Sequence, residues 1–287
     1  MWHITGRLSN HAPMAADALI RLGGSDGVHR WIDCYLARLD EAPTGRWPID
    51  PVNWRDSLGD PSRLGDWLRF FERQLAEHPW QDILALWWPR LLPGAIGAVG
   101  HPLIRTGHAV RAIQESLTDV RVAELGQALG YWAARWTPLP RMEPLGCTPP
   151  AELSQIPMLL DELTDSAVGC YRQWASSSPV MLIHAATVPR AARLVLLAVP
   201  EELWPMSYRH TWAATAAIVS AYRPQGRGPA EPAVPPKLSA EIVADAAMSS
   251  SDAHALKFTE VALESHARGL TDALAAAYLS SSLVEDG

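Results

Sequence analysis

Apolar positions along this chain recur at helical spacing, interrupted by proline and glycine, and no convincing pair of alternating strands appears. Pro13–Leu22 reads as a helix, with Pro13 suited to its first turn and Gly23-Gly24 stopping it. The same pattern predicts helices over 28–39, 66–77, 80–88, 101–117, 121–136, 158–174, 188–199 and 212–221. The apolar run Val180–Ala186 is compatible with a strand or with the start of a helix. Two final helices, 240–256 with a break at the serines and 257–278, close the chain. Between these elements lie connectors rich in proline and glycine over 42–60, 137–150 and 223–237, the last reading as a flexible loop or lid. The expected fold is all-α, a single helical domain over 1–287 with long connectors.

A hydrophobic content of 48% with 19% charged residues is that of a globular chain. The formal net charge of −7 argues against a general nucleic-acid binder. Cys34, Cys147 and Cys170 are isolated and odd in number, which is neither a disulfide framework nor a paired metal motif, so a reducing cytoplasm fits best. No signal-peptide layout opens the chain, and runs such as Arg193–Pro200 are too short to span a bilayer, so no membrane association is expected. Thirteen tryptophans stand against three phenylalanines. Most should be core contacts, with Trp87, Trp88 and Trp132 as candidates for the wall of an aromatic pocket.

Only Lys237 and Lys257 of the 24 basic residues are lysines. Lys237 lies in a proline-rich loop and reads as surface charge. Lys257 follows His254 by three residues in a helical segment, so amine and imidazole share a face. A lysine can shift its pKa when buried and react as a free amine, which arginine cannot. In His101-Pro-Leu-Ile-Arg-Thr-Gly-His108 the two histidines are about two turns apart on nearly one face, with Arg105 between them. Such a pair suits metal ligation, acid–base work or anion binding, and equally a pair of structural histidines. His11 precedes a helix start and His184 sits in an apolar run; each alone is more often a satisfied structural residue. The glycines of Gly94–Gly100 have neither dinucleotide nor P-loop spacing and read as sites of close helix approach. No GxSxG or HExxH is present.

Six blocks in order resemble the questin oxidase-like family: Ser9–Gly23, Gly65–Glu72, His101–Arg111, Tyr131–Arg135, Leu182–Thr187 and His254–Glu260. The resemblance implies an O2-dependent oxidoreductase, a mono- or dioxygenase of secondary metabolism that oxidises or cleaves an aromatic polyketide such as an anthraquinone or phenol. Arg105 stands where fungal members tend to carry a second histidine, and His108 offers an imidazole one turn later. The matching blocks contain His11, His101, His184, His254 and Lys257. With His108, these are the implied metal ligands, on the principle that facing helices of a bundle build metal sites. Imidazole-rich sites suit iron, copper or zinc, and with no flavin or nicotinamide fingerprint Fe(II) is the economical cofactor; use of NADPH is left open. An anionic ligand is expected, either a carbamate of Lys257 or the carboxylate of Asp252 or Glu260. Arg105, His108 and Lys257 are the candidate catalytic residues, Arg105 or His108 orienting a substrate oxyanion. The expected partners are an aromatic small molecule and O2. A helical carrier with structural histidines and a zinc hydrolase with three histidines remain alternatives.

Overall fold

The computed structural model describes residues 2–3, 9–139, 152–226 and 233–284. Twelve α-helices account for most of them: α1 Ala12–Arg21, α2 Val28–Leu36, α3 Leu64–Glu77, α4 Trp80–Leu91, α5 His101–Glu115, α6 Asp119–Arg135, α7 Ile156–Trp174, α8 Pro179–Val195, α9 Trp204–Tyr222, α10 Ala240–Ser250, α11 Ala253–Ala267 and α12 Ala273–Leu283. The fold is all-α, as the periodicity predicts. The departures among the described residues are a short antiparallel ladder, β1 Trp2–His3 on β2 Leu39–Asp40, and an isolated bridge between Ala95 and Thr137. Much of the 137–150 connector and the centre of the 223–237 segment lie outside the described residues, and with them the expected lid.

The apolar run at 180–186 is helical. It belongs to α8, which opens with Pro179 in its first turn and packs on α5, α7 and α9. Pro179–Ala198 is long and apolar enough to cross a membrane by length and composition alone, yet most of it is buried inside the bundle. It is so apolar because neighbours cover it on several sides. The predicted boundary at Leu256/Lys257 is moved by local chemistry. Ser251 ends α10 in a left-handed conformation (φ 55°), and the Asp252 carboxylate accepts from the backbone N–H groups of His254 and Ala255. That cap starts α11 early and puts His254 and Lys257 on one helix.

One core cluster of buried apolar side chains runs from Met14 to Val284. Trp87, Trp88 and Trp132 belong to it rather than to a pocket wall. Trp88 donates to Ser207 Oγ at 2.8 Å and Trp132 to the Gly94 carbonyl at 3.2 Å, while Trp87 packs among Trp54, Trp67, Phe70 and Phe71. An indole buried with its N–H satisfied contributes area and orientation to the core.

The approach of α5 to α8 depends on Gly107. A Cβ there would lie 2.7 Å from the Ala191 carbonyl oxygen and 2.8 Å from its Cα, which are backbone atoms that cannot swing aside. Gly107→Val is therefore expected to cost about 3 kcal/mol through overpacking, read as a lower urea midpoint at unchanged slope. A midpoint shift equal to that of an exposed helix substitution would show that the helices part without cost.

Candidate metal centre

Four histidine rings converge where α1, α5, α8 and α11 meet. His11 is the residue before α1, His101 is the first residue of α5, His184 lies in the second turn of α8, and His254 lies in the first turn of α11. Ring centroids are 4.8 Å apart for His11–His101, 4.5 Å for His11–His254, 4.3 Å for His101–His184 and 5.3 Å for His184–His254. One nitrogen from each of His11, His101 and His254 falls within a 4.8 Å set. The Nε2 atoms of His101 and His184 are 3.0 Å apart.

Two of the rings, His101 and His254, are held from behind. His101 Nδ1 lies 2.6 Å from the Ala98 carbonyl. A carbonyl only accepts, so the proton is on Nδ1 and Nε2 is a lone pair directed at the cluster. That carbonyl is aimed by a left-handed stretch, Ala98 (φ 46°), Val99 (φ 57°) and Gly100 (φ 83°). Two consecutive non-glycine residues in this region cost about 1–3 kcal/mol each, a strain that accumulates at functional sites. Gly100 is also required by space, since a Cβ would meet Val188 Cγ2 at 2.2 Å. The Asp252 carboxylate stands 3.5 Å from His254 Nδ1 and draws that ring's proton to the same side. Carboxylates and carbonyls behind histidines are the outer partners that fix tautomer and aim in metal sites. The backbone N–H of His11 donates to the Tyr35 hydroxyl at 2.9 Å, tying the loop before α1 to α2.

Burial pushes the pKa of His11, His101 and His184 well below the ordinary value, and that of His254 below it, with the Lys257 charge adding to the effect. The four imidazoles are thus neutral near pH 7, the protonation state a metal requires. Three helix N-termini face them, those of α1, α5 and α11, so the backbone already supplies positive partial charge. Lys257 completes the group. It is 1% exposed, and burial pulls its pKa down to about 8.

This donor set fits a divalent transition metal. Two nitrogens bound at right angles about 2.1 Å from one ion stand about 3.0 Å apart, which is the spacing of the His101–His184 pair. The 4.8 Å set is wider than opposed ligands at that bond length, by under about 1 Å. Either carboxylate considered as the anionic ligand is engaged elsewhere: Asp252 caps α11 and backs His254, and Glu260 lies in a second cluster.

That second cluster takes His108 and Arg111 from α5, Asp17 from α1, Arg190 from α8 and Glu260 from α11. His108 Nδ1 is 2.7 Å from Asp17 Oδ2, Arg111 pairs with Asp17 and Glu260, and Arg190 donates to Glu260 at 2.8 Å and to Glu264 at 2.7 Å. His108 is therefore not among the converging rings. Sharing a helical face with His101 leaves it about 10 Å further along the axis, and the reading from face alone omitted that displacement. Arg105 is also drawn away. It makes a two-pronged pair with Glu124 of α6 at 2.6 and 2.8 Å, so its charge is already engaged. The sequence reading did not anticipate Tyr35, the Ala98 carbonyl or Asp17. The only signal for any of them was the glycine-rich stretch that lets residues 98–100 adopt their conformation.

The two clusters fix the sense of the helices. His11 and Asp17, His101 and His108, His184 and Arg190, and His254 and Glu260 each step from the first cluster to the second towards the C-terminus. The four helices therefore run in the same direction, starting at the histidines.

Residues 8–123 match the family model described as Questin oxidase-like, a span that contains His11, His101 and the α1–α5 half of both clusters. No curated protein matches the chain.

Proposed function

We propose that this chain, questin oxidase-like over residues 8–123, is a nonheme-iron oxygenase acting with O2 on a phenolic or polyketide-like aromatic. The observation that carries the proposal is the convergence of four neutral imidazoles, two of them oriented from behind, beside a fully buried lysine. Iron, when bound, would supply the redox chemistry that couples an electron-rich ring to O2. The protein's part is to hold and shield. His11, His101, His184 and His254 present the nitrogens, and Ala98 and Asp252 hold the protons of His101 and His254 on the far side.

Lys257 supplies the anion. With its pKa near 8, a substantial minority of the amine is neutral at pH 7.5 and able to take up CO2, giving a carbamate and releasing a proton. The carbamate charge is favoured by the three helix N-termini and by the absence of a free carboxylate in the histidine set among the described residues. The same positive environment favours a phenolate substrate over a cation.

The test is anaerobic reconstitution with Fe(II) followed by elemental analysis of the wild type and of Lys257→Arg. About one iron per chain is expected in the wild type, with at least about tenfold less in Lys257→Arg at unchanged helical circular dichroism, the cost of losing one anionic ligand. Iron retained in Lys257→Arg would remove the carbamate. Zinc taken up in preference to iron would favour a hydrolase, and no metal at all a carrier.

A further inference from the structure

A cavity of about 410 Å3 opens between the α1–α2 corner and α10, lined by Leu19, Gly27, Trp31, Cys34, Tyr35 and Met248, with Arg30 and Arg38 exposed at its edge. Its walls are also the outer supports of the histidine cluster. Tyr35 accepts from the backbone N–H of His11 at 2.9 Å. Trp31 donates from its indole to the Ser251 carbonyl at 2.7 Å, and the next residue is Asp252, which backs His254. Tyr35 thus lines the cavity and holds, through its hydroxyl, the loop that carries one of the four histidines.

The chemistry of the lining is specific. Trp31 and Tyr35, one turn apart on α2, stack at 5.0 Å with only 12° between their planes, and a third flat ring extends such a stack. Leu19 and Met248 supply apolar contact, the thioether being well suited to an aromatic edge. The exposed Arg30 guanidinium at the mouth suits a carboxylate or phenolate. Gly27 leaves open space where a Cβ would be, so part of the volume exists because that position has no side chain. A fused two- or three-ring aromatic fits 410 Å3.

We propose that this cavity is the docking site for a planar aromatic anion, held on the helix whose Tyr35 supports the loop of His11. This rests on the oxygenase reading above for its place in a reaction, but not for the binding itself. Tyr35 acts here as a positioning residue, linking an occupied cavity to the backbone of His11.

The experiment uses 2-naphthoate as the probe and 2-naphthamide as its neutral twin, by calorimetric titration of the full chain. The wild type should bind naphthoate, with naphthamide about tenfold weaker, the loss expected for one exposed charge-assisted contact. Gly27→Phe, at a residue whose φ of −92° accepts any side chain, should fill the cavity and weaken naphthoate at least about tenfold. Independently of any variant, saturating naphthoate should slow alkylation of the exposed Cys34 by iodoacetamide, read by peptide mass spectrometry, while Cys170 is unaffected. Equal affinity in wild type and Gly27→Phe, or an unprotected Cys34 at saturation, would overturn the assignment. Iron content measured on the same samples keeps the two readings apart. Iron without naphthoate binding overturns the cavity alone, and naphthoate binding without iron leaves a ligand site on a carrier.

Discussion

Glu260→Ala is expected to cost the metal-free fold about 3–5 kcal/mol. Glu260 is 5% exposed and sits between the guanidinium groups of Arg111 and Arg190. Burial alone would raise its pKa, but Arg190 and then Arg111 outweigh that and hold it below the ordinary carboxylate value. Removing the carboxylate leaves two cations facing each other in the interior, with Asp17 and Glu264 only partly placed to compensate. A buried pair is weak evidence of net stabilisation, whereas breaking one is costly because the remaining charge keeps its desolvation penalty. Glu264 is the built-in control: its side chain is 39% exposed and also meets Arg190, so Glu264→Ala should cost under about 1 kcal/mol. Urea unfolding at pH 7 reads both. Similar losses in the two variants would mean that the second cluster is loosely solvated.

The second large effect has the opposite sign. Lys257→Met should stabilise the metal-free protein by roughly 3 kcal/mol at pH 7 while abolishing iron binding. The shift from an ordinary lysine value to about 8 means that folding is penalised by the buried ammonium whenever both states are protonated. The sign follows from proton counts. Between pH 8 and about 10.5 the unfolded chain holds a proton that the folded one has released, so wild-type stability rises with pH across that window. Below pH 8 the penalty is fully present. In the methionine variant this rise should vanish, and at pH 10.5 the two proteins should be nearly equal. Unfolding midpoints of wild type and variant that run parallel from pH 7 to 10 would show that the amine is not desolvated. The lysine is thus retained at a cost to stability, as expected for a group needed for chemistry.

Helix class and the order of elements were legible because each helix carries its own apolar face and its own stop signals. Convergence of His11, His101, His184 and His254 was legible only through the family resemblance, since nothing in periodicity relates residues this distant in sequence. What misled was the helical wheel. It puts His108 under His101 and says nothing of the axial distance that delivers His108 to Asp17 and Arg111. Arg105 was misread for a related reason: its partner, Glu124, lies on the next helix, and no local pattern announces an ion pair across a turn. The tryptophans point the same way. The N–H partners of Trp88 and Trp132 are Ser207 and Gly94, distant residues that turn a plausible pocket wall into core.

That the four site helices run in one direction has a consequence for how the protein is made. Helices laid side by side in the same sense cannot be joined by tight turns, so the chain must return the length of the bundle between them, and the contacts that close the site are long-range in sequence. His11 leaves the ribosome long before His254 and Lys257 exist. Until α11 docks, the early histidines have neither the fourth ring nor the lysine, and the nascent chain carries only part of the cluster. Assembly of the four-histidine site is therefore a late event of folding, completed only when α11 docks.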